Sequence, residues 1–197
     1  MNWNDHSKLE GLHAFLGASS CSWLNYSEEQ LEKRYHSAMA KTIGTRLHEF
    51  AKEAIELGIQ LKRCNKTLNM HVNDAISYRM TPEVVLYYSE NCFGTADAIS
   101  FSPKTKMLRI HDLKTGATSV HMGQLEIYAA LFCLEYGHDP SSISIELRIY
   151  QNNDCQKHVP EPQVIKDIMD KIIYFDKLID QIKNESRTYR RKVTTHD

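Results

Sequence analysis

The chain of 197 residues carries 24 basic and 25 acidic side chains, a net charge of −1, with 42% hydrophobic and 25% charged residues. That balance describes a globular domain able to bury a core, and it excludes both a disordered chain and a uniformly basic nucleic-acid coat; a local basic groove stays open, because the surface field follows where charges lie. The cysteines at 21, 64, 92, 133 and 155 form no Cys-x-x-Cys pair and read as free thiols, and neither a signal-like start nor a membrane-length apolar run is present, which predicts a cytoplasmic protein without a membrane partner.

Residues 1–17 carry little pattern. A polar helical segment is predicted over 27–40, with Ser27 and Gln30 spaced for a capping box. From Gly44 a second helix is predicted, since Leu47, Phe50, Ala51, Ala54 and Ile55 recur at helical spacing up to a stop at Gly58. Residues 70–77 fit a further helix, and Pro82 reads as a break. Three strands of a meander follow over 84–88, 93–101 and 107–113, the last two joined by the turn 102–106. A long helix over about 119–136 ends at Gly137, a β-rich run covers 143–150, and Pro162 opens a last helix to about 183. Helix, three strands, helix, strand, helix predicts an α/β domain with a mixed central sheet flanked by helices, the fourth strand returned by a helical crossover. The chain reads as one domain over 1–197: a helical extension 1–43, a core 44–150, a C-terminal helix 162–184 and a basic tail 185–197.

In the third strand Ile110, Asp112 and Lys114 alternate onto one face, so a carboxylate and an ammonium project side by side where the strand leaves the apolar layer. Asp97 on the neighbouring strand supplies a second carboxylate. Charged groups on a half-buried hairpin need partners or a metal. His48 borders the buried helix stripe and is a candidate third ligand, whereas Glu49 points about 100° away and ranks below it. Gly44 and Gly94 read as places of close backbone approach, Gly94 to the metal site.

Gly-x-x-x-His (44–48), Gly-x-x-Asp (94–97), Asp-x-Lys-Thr-Gly (112–116) and Gln-x-x-x-Tyr (124–128) occur in that order. On the order of one Asp-x-Lys is expected by chance in such a chain, so the ordered set carries the weight. Together these motifs resemble those of the PD-(D/E)XK nuclease superfamily, in its RecB-like or phage-type exonuclease branch, over roughly residues 44–128. The resemblance implies a restriction-endonuclease-like α-β-β-β-α-β core. It implies that His48, Asp97 and Asp112, with the backbone carbonyl of Leu113, hold Mg2+ or Mn2+, that Lys114 is the catalytic lysine, and that Gln124 and Tyr128 support the site or contact DNA. The activity implied is a metal-dependent DNA exonuclease of recombination, repair or phage DNA processing. DNA is then the partner, with a recombination protein beside it, and a phage-encoded chain would work in the host-cell cytoplasm. A structure- or site-specific endonuclease and a non-catalytic DNA- or protein-binding module derived from a nuclease are the alternatives. Relatives with an iron-sulfur cluster use one upstream cysteine and three near the C-terminus; Cys133 and Cys155 stand alone here, so no cluster is expected. Arg187, Arg190, Arg191 and Lys192, with Tyr189 among them, form the densest basic series and the candidate DNA-binding stretch, the alternative being a solvated tail.

Overall fold

The computed structural model describes residues 4–9, 11, 13–116 and 121–194, the side chains of residue 9 and of 186–194 excepted. The chain divides into two compact units, Met1–Thr45 and Arg46–Asp197. In the first, Trp23 Nε1 donates to the Gly17 carbonyl at 3.0 Å. Helix α1 (Glu28–Glu56) starts there on the expected capping box, Ser27 N–H donating to Gln30 Oε1 at 3.0 Å and Gln30 N–H to Ser27 Oγ at 3.2 Å. The two helices predicted over 27–40 and from Gly44 are one helix. An interior glycine costs only about 1 kcal/mol, too little to break 29 residues of helix.

The second unit is built on a five-stranded sheet in the order β1 (Thr81–Ser89), β2 (Cys92–Ser102), β3 (Met107–Leu113), β4 (Ser144–Gln151), β5 (Asp154–His158). The first three strands form the antiparallel meander, β4 lies parallel to β3 after the crossover helix α3 (Gly123–Tyr136), and β5 runs antiparallel to β4. This mixed sheet flanked by helices is the predicted α/β architecture, restriction-endonuclease-like at a coarse level. One face buries Leu86, Leu108, Ile110, Leu147 and Ile149 against α3 and the start of α4 (Pro162–Thr194). The other packs Ala98, Leu113 and Tyr150 against Ala51, Ala54 and Ile55 of α1 and against Val72 and Ala75 of α2 (Thr67–Ser77).

Several boundaries differ from expectation for local reasons. Pro82 lies inside β1 rather than breaking it, which an edge strand tolerates because one side of its backbone has no neighbouring strand to bond. Strand β5 was not predicted: its sequence Asp-Cys-Gln-Lys-His lacks apolar alternation, and the turn before it depends on Asn152 and Asn153 at φ 51° and 60°, a left-handed pair suited to a two-residue hairpin. Ser119, the predicted helix start, lies outside the described residues, and the described helix begins at Gly123 and closes on Gly137 at φ 67°. The last helix does not stop near 183 but continues to Thr194, so the stretch read as a basic tail is helical that far. Among the described residues no helix is long and apolar enough to cross a membrane.

Two features of the sheet create the site. Val84, Leu86 and Ala96 face the α3 side, yet further along the same strands Ile99 and Phe101 do so while Ala98 turns to the α2 side. The pleat therefore reverses at Glu83 and Asp97, where Glu83 has φ 51°. In addition, β2 and β3 stay paired only from Ser102 opposite Met107 to Ala98 opposite His111. Beyond that they part, and Asp97 and Asp112 lie just past the last pair.

Candidate metal centre

Helix α1 presents His48 toward the parted strands, with Nδ1 3.4 Å from Asp97 Oδ2. The same Asp97 oxygen accepts the Leu113 N–H at 2.7 Å, which fastens β2 to β3 where their ladder has ended. Glu83 joins this pair: one ligand atom from each of His48, Glu83 and Asp97 lies within 4.8 Å of the others. On β3, Asp112 is 2% exposed, and its Oδ1 accepts from Lys114 Nζ at 3.0 Å. Lys114 Nζ also donates to Gln124 Oε1 at 2.9 Å, and Gln124 Nε2 donates to the Tyr128 hydroxyl at 3.0 Å. Gln124 and Tyr128 are one turn apart on α3, so a single helix face carries both.

The flanks are tied down as well. Lys114 N–H donates to the Tyr150 carbonyl at 2.9 Å, and Gln151 Nε2 donates to the Gly116 carbonyl at 2.5 Å, so β4 holds the Asp-x-Lys-Thr-Gly segment at its middle and at its last residue. Gly94 serves a different purpose from the one predicted. A Cβ built on it would lie 2.8 Å from Cε1 of Tyr128, so the missing side chain makes room for that ring.

The electrostatics are those of crowded carboxylates. Burial, then the Asp97 charge, push the Asp112 carboxyl up against the opposing pull of Lys114. Glu83 is pushed up by burial and by Asp97. Burial also presses Asp97 upward, but the hydrogen bond and charge of His48 and the Leu113 N–H outweigh it and hold Asp97 below its ordinary value. His48 is raised by its hydrogen bond to Asp97 in spite of burial. Among the described residues, Asp112 Oδ2 is buried with no hydrogen-bond partner. A buried carboxylate oxygen without a donor is costly, and a cation removes that cost. Carboxylate oxygens with one imidazole suit a hard or borderline divalent ion such as Mg2+ or Mn2+. The donor set thus fits the implied metal.

Of the expected residues, His48 and Asp97 fall in one cluster with Glu83, and Asp112, Lys114, Gln124 and Tyr128 form a hydrogen-bonded row beside it; the two meet where Asp97 bonds the Leu113 N–H, while Asp112 itself lies outside the group of ligand atoms within 4.8 Å of one another. Glu83 was missed, because Pro82 was taken as a break and the strand as starting at Val84. No periodic signal marks it: the reversal of the pleat brings it beside Asp97, an arrangement of like charges that is unfavourable without a cation between them. Glu49 is exposed, as its angle on the helix predicts. Arg187, Arg190, Arg191 and Lys192 lie on the last turns of α4, and their side chains fall outside the described residues.

Comparison of the chain with protein-family models, with curated proteins and with solved structures finds no match. The mixed sheet, its flanking helices and the His48/Glu83/Asp97 cluster are consistent with a PD-(D/E)XK-like fold in general.

Proposed function

We propose that this chain is a divalent-metal-dependent deoxyribonuclease of the RecB-like or phage-type branch, working as an exonuclease on DNA ends in recombination, repair or phage DNA processing. A fold hosts many functions, so the reading rests on the site. The observation that carries it is the hydrogen-bonded row Asp112, Lys114, Gln124, Tyr128 beside the His48/Glu83/Asp97 cluster, with Asp112 Oδ2 left without a protein partner.

His48, Glu83, Asp97 and Asp112 would hold Mg2+ or Mn2+, with the Leu113 carbonyl as a further donor. When bound, such an ion polarises a phosphoryl oxygen and makes water a nucleophile near neutral pH. Lys114 keeps a positive charge at a phosphate without having to reorganise, because Asp112 and Gln124 already fix its ammonium. Gln124 and Tyr128 act through Lys114 by holding it. His48 orients Asp97, whose carboxylate also bonds the β3 backbone. The basic series Arg187, Arg190, Arg191 and Lys192 is the candidate for contact with the DNA backbone, and a recombination protein is the candidate partner.

The test uses purified protein with end-labelled linear DNA and closed circular DNA in Mg2+ or Mn2+. Linear DNA is expected to be degraded from its ends and the circle left intact. Lys114→Ala and Asp112→Asn are expected to slow cleavage about a hundredfold or more. Equal cutting of the circle moves the reading to an endonuclease, and variants that cut at the wild-type rate refute the site.

A further inference from the structure

Past Glu83 and Asp97 the β1–β2 hairpin continues as an arm. Its face away from α3 sets Val85 opposite Thr95 and Tyr87 opposite Phe93. Val85, Tyr87 and Phe93 are 55%, 47% and 62% exposed, and the two rings stack with centroids 6.4 Å apart at 28°. Cross-strand aromatic pairing stabilises a hairpin by only about 0.2–1 kcal/mol. That gain explains why the rings touch one another. It does not explain an apolar shelf left in water on the sheet face that leads directly to a cluster of carboxylates.

The geometry links shelf and cluster. Tyr87 and Phe93 each stand four residues from Glu83 and Asp97, about 13 Å along a strand. That span is at most about four nucleotide steps, since about 3.4 Å is the rise of a strand stacked in a duplex and an unpaired strand reaches further per nucleotide. The chemistry of the face is that of π surfaces rather than charge, since neither β1 nor β2 contains a Lys or Arg. A duplex shields its base faces and is held mainly through its phosphates, whereas an unpaired strand offers every base face to an aromatic ring.

We propose that Tyr87 and Phe93 form a stacking platform for the bases of single-stranded DNA, lying no more than about four nucleotides from the phosphate at the metal centre. This rests on the nuclease reading and narrows its substrate class to single strands and the unpaired ends of duplexes. The platform orders the strand, and Val85 continues its apolar surface toward the metal centre.

The test measures binding with Ca2+ replacing the catalytic ion, using a fluorescein-labelled 15-nucleotide single strand for anisotropy. A second strand set carries 2-aminopurine at each position up to about four nucleotides from one end or the other, reporting stacking by quenching. The Tyr87→Ala/Phe93→Ala protein is expected to bind the single strand at least about tenfold more weakly and to lose the quenching, while blunt duplex binding changes less than about twofold. Phe93→Trp is expected to bind like wild type. Should the double variant fail to fold by circular dichroism, Phe93→Leu, which keeps apolar cover on the hairpin but has no ring face, decides the matter through a loss of about fivefold and of the quenching. Wild-type binding and quenching by Phe93→Leu overturn the platform. So does a dimer in size-exclusion chromatography that Phe93→Leu separates without changing oligonucleotide binding, which makes the face an interface with a second copy. The two readings fail separately. If the wild type cuts single strands and the ring variants cut them equally well, the platform falls and the nuclease stands; if the wild type binds no Mn2+ and cuts nothing, yet quenches 2-aminopurine through these rings, the nuclease reading falls and the platform stands.

Discussion

Gly94→Ala probes the link between the arm and the hydrogen-bonded row Asp112, Lys114, Gln124, Tyr128. The added methyl would start 2.8 Å from Tyr128 Cε1. Carbon atoms settle at about 3.5–4 Å, so the ring must retreat by roughly 1 Å. Its hydroxyl sits 3.0 Å from Gln124 Nε2, and a shift of that size takes the pair out of hydrogen-bonding range. Gln124 then loses one of the two bonds that aim its carbonyl at Lys114. Overpacking costs about 1–3 kcal/mol and a lost neutral hydrogen bond about 1 kcal/mol, so a destabilisation of about 2–4 kcal/mol is expected in urea unfolding. Cleavage should fall at least about tenfold, because Lys114 is no longer held in place. A double-mutant cycle with Tyr128→Ala isolates the cause: without the ring, Gly94→Ala should cost less than about 0.5 kcal/mol. If Gly94→Ala costs the same with and without Tyr128, or nothing in either protein, the clash does not explain the glycine and the reasoning fails.

His71 is 1% exposed and burial holds it down to about 4, against an ordinary 6.5. The unfolded chain therefore takes up this proton first, and stability falls as pH drops from about 6.5 toward 4. Between pH 7 and 5 this amounts to about 2 kcal/mol, and urea unfolding of His71→Gln should lack that part of the loss; an unchanged pH slope counts against it. Glu83 at φ 51° occupies a conformation that costs a non-glycine residue about 1–2 kcal/mol, and it crowds Asp97. Glu83→Gly should hold or gain up to about 1 kcal/mol in stability while Mn2+ binding, followed by calorimetry, weakens at least about tenfold. A less stable variant with wild-type Mn2+ affinity contradicts both halves.

Much of the site was legible because its residues repeat at spacings that secondary structure turns into proximity. Asp112 and Lys114 share a strand face, Gln124 and Tyr128 share a helix face, and His48 borders a buried stripe; periodicity predicts these placements, while it was the motif resemblance that singled out Gln124 and Tyr128. Glu83 was not legible, since its position depends on a left-handed backbone next to a proline and on a reversal of the pleat shared by two strands. Neither leaves a periodic trace. Strand β5 escaped for a related reason: its order comes from pairing with β4 and from the Asn152-Asn153 turn, not from an apolar pattern of its own. The continuity of α1 through Gly44 shows the opposite case, a weak local breaker overridden by the helix on both sides. Gly94 was marked correctly as a place of close approach, but what approaches is the Tyr128 ring, a long-range neighbour that local reading cannot name.

The reversal of the pleat at Glu83 and Asp97 also restricts how the hairpin can change length. Because the sides of both strands are reset there, residues of the arm answer to their own alternation and not to that of the base. Inserting one residue into each strand beyond the reversal would drive Tyr87 and Phe93 toward α3 and bring Leu86 into water. Inserting two per strand would lengthen the arm by about 7 Å and leave every side chain on its proper side. Descendants of this chain can therefore vary the reach of the arm only in even steps, without altering the carboxylates at its root.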